Sequence, residues 1–232
     1  EPAVATIRGA TAELQAQRAE PAGTLRINSS LGAALMVMPL LSAFLRRHPA
    51  MSLDIVTEGR RVDVIAEGFD AGLRLAEDVP HDMVRVPIGA PLRLVVVGTP
   101  ELLARHGTPR SPEDLAALPC IRGRMPGGEP SPWQFERAGA PWRLAVPGAL
   151  VLDSPVLMCE AACQGLGLAQ LAESHVADAV AAGRLVRVLD GWAPALPRLC
   201  LYHWGHRHIP PGLRALVAMI RESAAGRADD AA

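Results

Sequence analysis

Lysine is missing altogether: all 23 basic residues are arginine, and 24 acidic residues bring the net charge to −1. A balance so near zero argues against a strongly basic nucleic-acid surface, which needs clustered cations. Aromatic residues are scarce, four Trp, three Phe and one Tyr, so the core must be built from Ala, Leu and Val. The four cysteines, Cys120, Cys159, Cys163 and Cys200, are scattered over 232 residues. That density is too low for a secreted disulfide framework, and buried reduced thiols are expected. No apolar run approaches the roughly 18–20 residues a membrane span needs. The longest, Leu31 to Leu45, is broken by Gly32, Pro39 and Ser42. Glu1 opens the sequence without methionine or a basic-then-apolar leader, which suggests a processed protein or a piece lacking its start. Catalytic signatures are missing too: there is no Gly-x-Ser-x-Gly elbow, His-Glu-x-x-His pair, Walker loop or dinucleotide glycine fingerprint. What remains is half apolar and long enough to bury roughly 70–75% of its unfolded surface, as one domain or two small lobes.

Along the chain, residues 1–21 come first. Val4, Ile7, Thr11, Leu14 and Arg18 recur every three or four positions, a weak coiled-coil seam stopped by Pro21-Ala22-Gly23. Thr24–Asn28 alternates apolar and polar residues as a strand does. Ser29 or Ser30 caps a following helix that reaches Arg46-Arg47-His48, with Pro39 expected to kink it or split off its first turn. Leu53–Thr57 completes a parallel βαβ unit. A short helix over Val62–Glu67, stopped by Gly68, and strands at Asp70–Leu75, Val84–Ile88 and Leu92–Val97 follow. Thr99-Pro100 opens a helix to His106, and Ser111-Pro112 repeats that signal. Leu150–Leu152, Ser154–Cys163 and Gly167–Leu171 read as strand, helix and strand. Leu199–Trp204 is a last strand and Pro210–Ser223 a last helix; the tail from Ala224 is expected to fray. The fold class is α/β, with two similar halves and no internal repeat.

Several runs resemble one family. Val62-Asp63-Val64-Ile65-Ala66-Glu67-Gly68-Phe69-Asp70-Ala71-Gly72-Leu73-Arg74 is similar to the effector-binding domain of LysR-type transcriptional regulators. So are Leu92–Gly98 with Thr99–Gly107, then Pro112–Leu115, Cys120-Ile121-Arg122, Glu160–Leu171 and Ala182–Leu189. The resemblance covers about residues 22–223, with the motifs in the family's order. It implies a two-lobed fold like type 2 periplasmic binding proteins, each lobe a mixed sheet flanked by helices. The lobes would be 22–91 with 199–223, and 92–198, joined near Leu92–Gly98 and Leu196–Tyr202. Residues 1–21 would be the end of a linker helix and 224–232 a frayed tail. It also implies a small-molecule effector, a homodimer or tetramer paired through the exposed face of Leu40–Arg47, and DNA binding only through an absent N-terminal winged helix-turn-helix. A cytoplasmic protein without membrane contact, catalysis or cofactor follows. The alternative is a solute-binding protein of a transporter with the same fold.

In such a fold strand ends and helix N-termini face the inter-lobe cleft and attract carboxylates. Candidate ligand residues are therefore Ser29 and Ser30 after the first strand, Thr57 after the second, and Asp153 and Ser154 before the helix carrying Cys159. Arg122-Gly123-Arg124 would bring a cation to the carboxylate, and Trp133 would wall an aromatic ligand's pocket. Cys200, His203, His206 and His208 look like metal ligands by composition, but on a strand Cys200 and His203 point to opposite faces, so no metal site is assigned. Cys159 and Cys163, one helical turn apart, fit a disulfide poorly.

Overall fold

The computed structural model describes residues 20–58, 62–64, 66–125, 127–205 and 209–229, with side chains described through 225. The seam expected from Val4 to Arg18 lies outside them, as do His206 and His208.

Strand β1 (Gly23–Ser29) turns Leu25 and Ile27 into a core. It lies parallel to β2 (Met51–Thr57) and to β3 (Ala71–Leu75), with Ile27 opposite Ile55 and Ala71. Helix α1 (Leu31–Arg47) connects β1 to β2. Ser30 caps it, its Oγ accepting from the Ala33 amide at 3.2 Å, and Arg46 and Arg47 sit where the helix dipole favours cations. Of the two outcomes expected at Pro39, a kink or a split-off first turn, the split does not occur: the helix is continuous from Leu31 to Arg47. Both Pro39 and Leu35 are on the exposed face, where water can satisfy a carbonyl deprived of its partner. Antiparallel strands β4 (Met83–Ile88) and β13 (Leu199–Trp204) complete a sheet ordered β2-β1-β3-β13-β4.

The helix expected over Val62–Glu67 is not formed: the described residues there make a turn. The Asp63 carboxylate accepts from the Ala66 amide at 3.1 Å and the Val64 carbonyl from the Phe69 amide at 2.8 Å. Gly68, at φ +72, ends the turn before a helix can propagate.

The second sheet runs β11-β5-β10-β6-β9. It comprises β5 (Leu92–Gly98), β6 (Cys120–Gly123), β9 (Leu150–Leu152), β10 (Leu168–Ala172) and β11 (Val186–Val188), with β12 (Ala195–Leu196) paired to β5. Helices cover both faces. Val95 and Val97 pack toward α3 (Pro155–Cys163) and α4 (Glu173–Ala181), while Val96 packs toward α2 (Pro100–His106) and a hairpin, β7 (Trp133–Arg137) with β8 (Ala140–Leu144). Ala138 and Gly139, both at positive φ, make the hairpin's two-residue turn. Ser111-Pro112 starts only a 3-10 turn, Pro112–Ala117, held by Asp114 accepting from the Arg110 and Ser111 amides.

The chain passes between sheets twice, through residues 89–91 and 197–198; neither β5 nor β13 itself enters both. Last comes α5 (Pro211–Asp229), which runs past Ala224 into the segment expected to fray; residues 230–232 lie outside the described ones. Ala224-Ala225 keep helix propensity high there. Two α/β lobes result. Among the described residues no helix is long and apolar enough to cross a membrane.

Candidate binding cleft

A cleft of about 1080 Å³ lies between the two sheets, with walls from both. On the first-lobe side it meets the start of α1 at Ser30 and Gly32, Glu58, Arg74 of β3 and Tyr202 of β13. The second lobe contributes Gln170 of β10, His175 of α4, and Met125 and Gly127 from the loop after β6.

Each wall residue is fixed from behind. Asn28 is fully buried, and its Oδ1 accepts from Arg74 Nη2 at 2.7 Å, while Arg74 Nη1 donates to the Leu73 carbonyl at 2.8 Å. These two acceptors fix the direction of the guanidinium through charge-assisted hydrogen bonds. Gly72, opposite Tyr202 in the sheet, lets the ring lie on β3: a Cβ there would stand 2.4 Å from Tyr202 Cζ. Across the cleft the Gln170 side chain exchanges two hydrogen bonds with the Gln134 backbone, at 2.8 and 2.6 Å, as a strand partner would. His175 Nε2 lies 3.1 Å from the Gly32 carbonyl and joins α4 to α1. Burial lowers the His175 pKa from its ordinary value, against the smaller opposing pull of the Gly32 carbonyl. Neutral at pH 7, His175 therefore donates through Nε2.

Of the residues singled out in the sequence, Ser30 stands in the wall of the cleft. Ser29 is fully buried, its hydroxyl donating to the Ser30 carbonyl at 2.9 Å. Thr57 is exposed at the end of β2, and the cleft takes its neighbour Glu58 instead. Arg122 is half-buried on β6, with Nε buried and unpartnered. Gly123 packs beneath Met158. Arg124 donates to the Gly128 carbonyl at 2.7 Å and so shapes the loop that carries Met125 and Gly127 to the cleft. Asp153 is exposed, and Ser154 caps α3, its Oγ accepting from the Leu157 amide at 3.3 Å. Pro155 then brings that helix start near α1: its Cγ lies 3.5 Å from where a Gly32 Cβ would be. Trp133 corrects its expectation. It is 2% exposed and packs in the second-lobe core beside Phe135, not in the cleft wall, because the hairpin folds it inward.

His203 is buried, its Nδ1 near the Trp204 carbonyl, and no three His, Cys, Asp or Glu side chains gather to hold a metal among the described residues. Burial pushes the Cys120 thiol up to about 12, and Cys159 is raised by burial and by Cys163 beside it. Both stay protonated, a poor state for thiol chemistry.

The profile described as "LysR substrate binding domain" matches residues 18–225. The chain belongs to the LysR-type regulator family. It is 36% identical to the uncharacterized HTH-type transcriptional regulator YcaN of Escherichia coli (strain K12) over 90% of this chain and 68% of that protein. It is 33% identical to the HTH-type transcriptional regulator PgrR of the same organism over 89% of this chain and 70% of that one. These relatives are transcriptional regulators, not enzymes, which favours the regulator over a transporter's solute-binding protein. In fold, the chain matches CrgA, a LysR-type transcriptional regulator from Neisseria meningitidis, with TM-score 0.76 and 24% identity over 95% of this chain and 75% of CrgA. The regulatory domain of AphB in Vibrio vulnificus matches with TM-score 0.71 and 19% identity, over 88% of this chain and 100% of that one. The two-lobed architecture is thus the periplasmic-binding-protein-like one of LysR regulatory domains, and the cleft is where its lobes meet.

Proposed function

We propose that this LysR domain senses a small carboxylate-bearing effector in the inter-lobe cleft. The reading rests on Arg74, a guanidinium oriented by Asn28 and the Leu73 carbonyl at the cleft wall, close in the fold to the Ser30-capped start of α1. A carboxylate there gains a cation and the positive end of a 17-residue helix. Gln170 and His175 reach the same ligand from the other lobe, so binding favours one arrangement of the lobes over another. The exposed acids Glu77 and Asp78 stand at the cleft as well, and they favour amino acids over dicarboxylates.

In the whole regulator the signal passes to DNA through a winged helix-turn-helix outside this domain, in the cytoplasm. Copies pair through α1, whose Leu31, Leu35, Met38 and Leu45 form an exposed apolar stripe.

Thermal unfolding against a panel of organic acids, amino acids and aromatic acids tests the site. Ligand at about 100 times its Kd stabilises by about 2.7 kcal/mol, a midpoint shift of roughly 5–10 °C for this size. Arg74→Gln is expected to weaken a hit by at least about tenfold, or 1.4 kcal/mol. A silent panel, or a hit indifferent to Arg74→Gln, contradicts the assignment.

A further inference from the structure

A second cavity, of about 700 Å³, lies beside the first inter-lobe crossing. Its walls are apolar: Met36 and Leu40 of α1, Ile88 and Leu92 flanking the crossing, and Leu199 of β13. Two charged residues are part of its lining, Glu173 and Arg93, and they differ in what neutralises them. Glu173 is paired with Arg187, which also holds Asp190 at 2.8 Å. The exposed Arg93, among the described residues, donates only to a neutral acceptor, the Asp190 carbonyl, at 3.2 Å. The chamber therefore combines an apolar interior with one cation at its edge that no carboxylate neutralises. A cavity of this size is ordinary for a small ligand.

We propose that this chamber is a second small-molecule site, for an apolar monocarboxylate whose chain lies among Met36, Leu40, Ile88 and Leu92 and whose carboxylate bonds Arg93. The chain gains from burial in proportion to its apolar area. Arg93 supplies the charge-assisted hydrogen bonds that a neutral hydrocarbon would leave unused. The site is distinct from the cleft but only one residue layer away: Met36, Leu92, Ala172 and Leu199 line both. Its walls also come from both lobes, α1 on one side and the start of α4 on the other. An occupant there is sensitive to the lobe arrangement, so the two ligands affect each other's affinity reciprocally.

Octanoate, titrated calorimetrically into the purified protein, is the probe. Saturable binding is expected in the wild type, weakened at least about tenfold by Arg93→Gln and abolished by Ala90→Trp, which fills the chamber from an exposed position in its wall. Arg74→Gln, in the cleft and outside the chamber's lining, is expected to leave octanoate affinity within about twofold, because Arg74 touches no occupant of the chamber. Circular dichroism confirms that each variant folds. Should Ala90→Trp not fold, Arg93→Gln decides alone, since its side chain is exposed. Absence of saturable binding, or binding that Arg93→Gln or a folded Ala90→Trp leaves unchanged, overturns the proposal. Binding removed by Arg74→Gln alone also overturns it, by placing octanoate in the cleft and leaving the effector assignment standing.

Discussion

At the scale of single residues, the cleft depends on polar groups held in place by others far away in sequence. Arg74 is aimed by Asn28, 46 positions earlier, and His175 bonds the Gly32 carbonyl 143 positions away. His175 makes this dependence measurable through pH. Its folded pKa lies below its ordinary value of 6.5 because burial disfavours the charged ring. Between 6.5 and that lower value the unfolded chain binds a proton the folded one does not, so stability must fall as pH drops through this window. The expected outcome is a wild-type unfolding midpoint that falls relative to His175→Gln between pH 7.5 and 5.5. An unchanged difference would show that the ring is not held neutral by its surroundings.

Among the elements, α1 carries several duties at once. One face packs Val37, Leu41 and Phe44 into the first-lobe core, its start borders the cleft, and its outer apolar stripe is exposed. On the pairing through α1 proposed above, Met38→Glu, at the centre of that stripe, is expected to lower any dimer fraction seen by light scattering without unfolding the domain. A dimer that persists would move the pairing face elsewhere. Helix starts were legible in the sequence because their signals are local: Ser30, Thr99 and Ser154 each cap the helix that follows. The hairpin β7–β8 was not legible, since Ala138-Gly139 lacks the Asn-Gly or Asp-Gly signal of such turns. That omission is why Trp133 was expected at a ligand and is found in the core. Val62–Glu67 failed for the opposite reason: its composition suits a helix, but Gly68 leaves room for one turn only.

For the molecule as a whole, two βαβ-rich sheets exchange the chain twice, which places the ends of β1 and β3 and the start of α1 opposite β10 and α4. The family motifs made this architecture readable along the chain. The cleft residues Arg74, Tyr202, Gln170 and His175 were not readable, because each is brought to the wall by strand pairing or helix contact across long separations, with no local signature. On the proposed function, an effector is held by both lobes together. Hydrogen exchange of the free and effector-saturated protein tests it most directly, with the effector being the strongest hit of the acid panel. An effector bridging the lobes adds protection in both, around Ser30–Ala33 and Gly72–Arg74 in the first lobe and around Gln170–Val176 in the second. Protection confined to one lobe, or absent from both stretches, would contradict it.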